Sequence, residues 1–136
     1  MTLDDEFLIA EHDYEKDDTI LYLGTRHTTK EDNRRIQLSK TEYILPPKMI
    51  YHSCSPNAFI DWNDMTLRAL VKIFKNEKIT YHYGTSEYDY SVGAFACNCG
   101  SEDCVEYFSG FKNMTFEQQQ AISESTSDYI KGIWKS

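Results

Sequence analysis

Residues 97–104 read CNCGSEDC, which places three of the chain's four cysteines in a C-x-C-x4-C arrangement. Three thiolates this close can all reach one tetrahedral ion, at about 2.3 Å from each sulfur. Asn98 is a spacer between two ligands, and Gly100 lets the backbone turn sharply after the second. Three sulfurs leave one position of a closed structural site unfilled. The remaining cysteine is Cys54, inside YHSCSPN at 51–57. An all-cysteine site therefore requires that segment to pack against the 97–104 loop. His82 is the other candidate for the fourth position. The competing reading is four free thiols in a mobile loop. Zinc is favoured because every cysteine of the chain fits one site. Structural zinc contributes on the order of 10 kcal/mol to a small domain, enough to pin a segment that lacks a core of its own.

The rest of the composition fits a single zinc-stapled domain. A chain of 136 residues has the size of one ordinary domain with a modest core. Ten tyrosines and seven phenylalanines favour strands and half-buried rings. The net charge of −8 opposes non-specific nucleic-acid binding, which needs a basic surface, and suits either plain solubility or a basic partner. There is no apolar run of membrane-spanning length, so no membrane partner is expected. The acidic start MTLDDEFLIAEHD is unlike a secretory signal. An intracellular protein is expected, in the cytoplasm, with the nucleus left open.

Read outward from the cysteines, the chain is mostly short strands. FLIA and TILYLG within 7–24 predict two strands split by a polar turn, and TRHTTKEDNRR at 25–35 predicts a solvated loop. IQLSKTEYIL at 36–45 alternates over its first half like a half-buried strand, and PPK at 46–48 blocks regular structure. AFIDW, TLRALVKIF and ITYHYG predict further strands, with KNEK as a turn and Gly84 as a stop. Residues 85–114 are irregular around the cysteines. After them, Thr115 and Gln118 fit a capping box ahead of apolar residues at helical spacing. One C-terminal helix is expected, with a break near SESTS. It either covers a core face or forms a homodimer contact. The expected division is 1–114, containing the zinc loop at 95–105, and a helical extension at 115–136. There is no βαβ alternation, glycine-rich phosphate loop or G-x-S-x-G elbow.

Three stretches in register resemble one family. YHSCSPNAFIDW, LRALVKIFKNEKITYHYG and FACNCGSEDC are similar to the C-terminal half of SET-domain lysine methyltransferases with a post-SET zinc loop. That family's pattern runs Asn-His-Ser-Cys-x-Pro-Asn. It continues with an Ala-x-x-x-Ile-x-x-Gly-Glu-Glu-Leu-Thr-Tyr-Asp-Tyr-like run and then Cys-x-Cys-x4-Cys. TSEYD at 85–89 and GFKNM at 110–114 also resemble the family's small members. The resemblance implies a mainly β SET-domain fold: several small sheets with a knot-like crossing, a zinc-stapled loop and a C-terminal helix. It implies S-adenosylmethionine as cofactor, one structural zinc on Cys54, Cys97, Cys99 and Cys104, and usually a protein lysine as acceptor. By position, Tyr51, His52, Tyr83, Phe95 and Asn98 correspond to cofactor-binding residues. Tyr83 matches the main catalytic group. Tyr81 matches the residue that tunes the number of methyl groups, in its monomethyl-biased form. Asn57 resembles the asparagine that locks the crossing. Apart from the resemblance, Tyr81 and Tyr83 are simply alternating residues on a strand.

The chemistry suits these residue types. Transfer of a sulfonium methyl to an amine is accelerated by proximity and alignment, and a partly dry aromatic channel lowers the acceptor's pKa. The protein needs no nucleophile of its own. Three departures from the family bear on the site. Asp5-Glu6-Phe7 stands where a Gly-x-Gly stretch binds the cofactor's amino-acid end, Tyr51 stands for Asn, and His82 for a frequent Asp. Three functions follow: a protein-lysine methyltransferase, a SET-type methyltransferase acting on a small amine or carboxylate, or a SET-fold interaction module without activity.

Overall fold

The computed structural model describes residues 7–102 and 104–134. The Asp5–Glu6 part of the Gly-x-Gly departure lies outside the described residues, while Phe7 is within them. Short strands form four small sheets. β1 (Thr19–Tyr22), β6 (Ala58–Asp61) and β7 (Thr66–Ala69) make an antiparallel sheet in the order β1-β7-β6. β2 (His27–Thr28), β3 (Ile36–Gln37) and β4 (Tyr43–Ile44) make a second, in the order β2-β4-β3. β5 (Tyr51–His52) lies parallel to β8 (Thr80–Tyr81), and β9 (Phe95–Ala96) pairs antiparallel with β10 (Tyr107–Phe108).

The β6–β7 hairpin is the most regular element, and its sequence explains why. Ala58 and Ile60 alternate with half-buried neighbours and Leu67 and Ala69 flank the half-buried Arg68, so one face of the hairpin enters the core. Ala58 faces Ala69 and Ile60 faces Leu67 across the pair. The turn is held by its own side chains. Asn63 N–H donates to Asp61 Oδ1 at 3.0 Å, and Thr66 Oγ1 donates to Asp64 Oδ1 at 2.6 Å. Around this hairpin Leu23, Ile36, Ile44, Ile73, Ile79, Phe108, Phe111 and Ile130 are fully buried.

The parallel pair positions the 51–57 segment. Asn57 clasps the strand beside it: its Nδ2 donates to Lys78 O (2.8 Å), and its Oδ1 accepts from Thr80 N–H (2.8 Å). An asparagine is required for this, because it must donate and accept at once. In KNEK, Asn76 takes a left-handed φ of 75°, at the position where the family pattern carries glycine.

Several elements differ from what periodicity predicts. FLIA forms only isolated bridges, Phe7 with Met49 and Ile9 with Lys78. IQLSKTEYIL is two strands joined by a turn in which Ser39 Oγ accepts from the Thr41 and Glu42 amides. TLRALVKIF leaves the sheet after Ala69, and the strand in ITYHYG ends at Tyr81, so Gly84 lies inside a 3-10 turn over Tyr83–Thr85. The tail holds two helices, α1 (Phe116–Ile122) and α2 (Asp128–Trp134), with a 3-10 turn at Ser123–Ser125. The capping box is present: Thr115 Oγ1 accepts from Gln118 N–H and Gln118 Oε1 accepts from Thr115 N–H.

The loop expected to be solvated hides a charge. Arg35 is 5% exposed and pairs with Glu87, 1% exposed, through Nε and Oε1 at 2.8 Å. Arg35 also donates to the carbonyls of Lys30 and Asp89, and Glu87 Oε2 accepts from Gln37 N–H at 2.9 Å. This pair clips the 30–37 loop onto residues 87–89. Removing one partner strands a buried charge, which costs about 3–5 kcal/mol. Arg35→Met is expected to lose about that much stability in urea unfolding. The double variant Arg35→Met/Glu87→Leu should lose less than the single one. A single-variant loss under about 1 kcal/mol contradicts the clip.

Candidate metal centre and cofactor pocket

The sulfurs of Cys54, Cys97, Cys99 and Cys104 all lie within 4.8 Å of one another. Cys54 Sγ is 4.0 Å from Cys97 Sγ, and it accepts the Val105 N–H at 3.4 Å. Four sulfurs on a tetrahedron of about 2.3 Å bonds sit roughly 3.8 Å apart, so this cluster fits zinc. Two features of the loop produce it. Gly100 takes φ 78° directly after Cys99, and the β9–β10 pairing brings Cys97 back against Glu106, whose carbonyl accepts the Cys97 N–H at 2.7 Å. The four sulfurs form one group of potential ligands, and His82 is not part of it. His82 instead joins His52 and Cys54 in a second group of potential ligands.

The thiols differ in acidity. Burial pushes the Cys54 thiol well up and the Cys97 thiol up to about 11. Cys99 moves the other way, to about 6. Its burial opposes this, but the N–H groups of Ser101 and Cys54 and the adjacent thiols favour its thiolate.

Next to the cluster lies a nest of rings. His52 stacks on Phe108 (5.5 Å between centroids, 23°) and meets Tyr83 and Phe95 edge-on at 5.1 and 5.5 Å. Tyr83 and Phe95 are 5.9 Å apart, and Tyr81 contacts Tyr83 at 5.1 Å. His52, Tyr81, Tyr83 and Phe95 are thus brought together, while Asn98 is exposed on the zinc loop. Burial, with His82 alongside, lowers the His52 imidazole to about 3, and burial lowers His82 to about 4. Both rings are neutral at pH 7.

Residues 81–87, YHYGTSE, are buried without interruption, and their polar groups find partners within the run and on neighbouring segments. Tyr81 Oη and Ser86 Oγ share a hydrogen bond of 3.0 Å, Thr85 Oγ1 donates to His82 O, and His82 Nδ1 accepts from Gly84 N–H. Tyr83 Oη donates to the Ile50 carbonyl. A small cavity beneath it is lined by Tyr81, Tyr83, Tyr90 and Glu87. Asn33, Arg34, Pro46 and Met49 border both this cavity and a cleft of about 830 Å³. Phe7, Arg26 and Lys48 also line the cleft, and no carboxylate does so among the described residues.

A family model for the SET domain matches residues 5–84, more than half of the chain. The chain belongs to the SET-domain family. The SET match includes Cys54 but ends ahead of Cys97, Cys99 and Cys104, so that three-cysteine loop is an observation separate from it. A histone-lysine N-methyltransferase of Candida albicans, described as H3 lysine-36 specific, is 35% identical over 69 residues. That alignment covers 46% of this chain and 8% of the relative, so this SET chain spans a small part of that protein's length.

The two departures from the SET pattern at Phe7 and Tyr51 touch each other. Their rings stack at 4.2 Å and 21°, and Lys78 Nζ lies 4.8 Å over the Tyr51 ring. Cation and stacked rings form one unit where glycine and asparagine are expected. Sequence reasoning missed Arg35, Glu87, Lys48 and Phe108. None stands in a spacing that signals a site, and Phe108 is marked only by its place after the last cysteine.

At pH 7 Cys54 and Cys97 hold their protons, so zinc uptake is expected to release at least those two. Calorimetry in buffers of different ionisation enthalpy measures this. Affinity should fall as pH drops, because protons compete for the same sulfurs. Release of fewer than two protons per zinc contradicts the assigned thiol states.

Proposed function

We propose that this chain is an S-adenosylmethionine-dependent SET-type methyltransferase that transfers a methyl group to the side-chain amine of a protein lysine. The observation that carries the reading is the position of Tyr83. Its ring joins the His52–Phe95 nest, and the residue lines the small cavity that shares Asn33, Arg34, Pro46 and Met49 with the large cleft. The family membership and the lysine-specific relative support the same reading.

The cleft fits the cofactor in charge and size. Pockets for ligands of this class run to about 300–1,000 Å³. Arg26 and Lys48 line the cleft and offer positive charge for a carboxylate, and the His52 and Phe95 rings, outside its lining, offer contacts for an adenine. With Phe7 and Tyr51 stacked where glycine and asparagine stand in the family, side chains instead of closely approaching backbone would hold the amino-acid end. When bound, the cofactor supplies an electrophilic sulfonium methyl.

The protein's own groups orient the acceptor and exclude water. Burial raises the hydroxyls of Tyr81 and Tyr83 above their ordinary 10.0, with Glu87 among the charges that add to the effect. Both therefore stay protonated at neutral pH. They serve as hydrogen-bond partners that align an amine, not as bases. The acceptor amine must shed its proton to solvent on entering the dry cavity, whose surroundings disfavour an ammonium ion. Arg35 pairs with Glu87 and offsets part of its charge there.

Calorimetric titration with S-adenosylmethionine tests the reading. Binding heat is expected, and none at millimolar cofactor leaves an interaction module. Tyr83→Phe should lower the transfer rate about 100-fold while cofactor binding stays within a few-fold. Unchanged turnover rejects Tyr83 as the catalytic residue. Transfer should rise with pH as the amine deprotonates, with no falling limb near pH 10 from tyrosine ionisation.

A further inference from the structure

We propose that His52 is a positioning residue that ties the four-cysteine centre to the backbone of Tyr83. The inference rests on the zinc reading of the cluster and not on cofactor binding. His52 uses both ring nitrogens. Nδ1 accepts the backbone N–H of Tyr83 at 3.0 Å, and Nε2 lies 3.4 Å from Cys54 Sγ. A neutral imidazole carries one proton. Since Nδ1 is the acceptor, that proton is on Nε2 and points at the sulfur. One rigid ring thus spans from a metal ligand to the tyrosine at the cavity.

The surroundings fix this orientation. Phe108 stacks on the imidazole, and Phe95, Tyr83 and His82 abut its edges. On the strand side, Ser53 N–H donates to Tyr81 O at 3.2 Å, so the backbone flanking His52 is held to β8. Cys54 Sγ receives a second donor from Val105 N–H. Two N–H groups converging on one thiolate stabilise its negative charge and orient it, as outer partners of metal ligands do. Direct coordination by His52 is the rival arrangement, since Cys54 and His82 carry donor atoms nearby. Four sulfurs already complete a tetrahedron, and a coordinated Nε2 could not keep its proton.

The strut predicts a dependence that a merely packed ring lacks. Replacing the ring removes both contacts at once, so metal affinity and the protection of the Tyr83 amide change together.

The test uses the full chain loaded with ¹¹³Cd and labelled with ¹⁵N-histidine. NMR should find His52 as the Nε2–H tautomer, with scalar coupling between that proton and cadmium through the Cys54 sulfur. A direct ¹⁵N–¹¹³Cd coupling, an Nδ1–H tautomer, or a loaded centre without coupling overturns the strut. A chain that takes up no cadmium overturns the four-cysteine reading itself, and the strut with it. His52→Phe keeps the stack on Phe108 and removes both hydrogen bonds. It should weaken zinc binding by about 10–100-fold and speed hydrogen exchange at the Tyr83 amide, with circular dichroism unchanged. Unaltered zinc affinity or unaltered exchange at Tyr83 is also fatal to it. Should the variant not fold, the tautomer and coupling in the unaltered chain still decide.

Discussion

Four sulfur atoms from two stretches of chain meet at one point, with 43 residues separating the first cysteine from the second. Most of the functional face depends on that meeting. The segment at 51–57 is gripped three ways: by the parallel pairing with β8, by the Asn57 clasp and by Cys54 in the cluster. The zinc-fitting loop returns on itself through β9 and β10, and those two strands place Phe95 and Phe108 together against His52. The metal centre and the ring nest are therefore one construction. Pulling Cys54 out of the cluster would loosen the histidine, the two phenylalanines and Tyr83 together.

A second constraint acts from the opposite side. The buried run 81–87 carries a histidine, a threonine, a serine and a glutamate through the interior, which is costly unless every polar atom finds a partner. The run solves most of this within itself, by hydroxyls bonding back to nearby carbonyls. The glutamate is the exception and needs Arg35, together with the Gln37 amide, from a distant loop. That loop is then held over the tyrosine-lined cavity. A charge pair of this kind contributes little net stability compared with an apolar replacement, but it fixes where the loop must sit.

The site was legible where chemistry forces spacing and illegible where it does not. C-x-C-x4-C with one leftover cysteine announces a closed four-sulfur centre, and the structure brings the sulfurs together. The tail's capping box was readable because it is a contact between near neighbours. Strand lengths were misjudged because most of these strands are two residues long, too short for a period of two to register. IQLSKTEYIL reads as one strand only if the Ser39–Glu42 turn goes unnoticed, and that turn depends on a serine side chain capping backbone amides. The burial of Arg35 had no local signal, since its partner lies 52 residues away. Likewise Phe7 and Tyr51 look like two separate departures in the sequence, and only the fold reveals them as one stack.

The parallel pairing of β5 with β8 also constrains how the chain reaches this state. Residues 51–52 and 80–81 cannot align until the chain between them has doubled back, and that chain is the β6–β7 hairpin. Closing an unstructured loop of that length carries an entropic cost that a preformed hairpin largely removes. The hairpin is local and self-capped, whereas the four-sulfur centre joins cysteines 43 positions apart. Non-local pairing of this kind makes for slow folding relative to stability. A chain emerging from synthesis would carry its thiols unpaired until nearly all of the sequence up to Cys104 was available. For such a topology, the order in which contacts become possible is set as firmly as the contacts themselves.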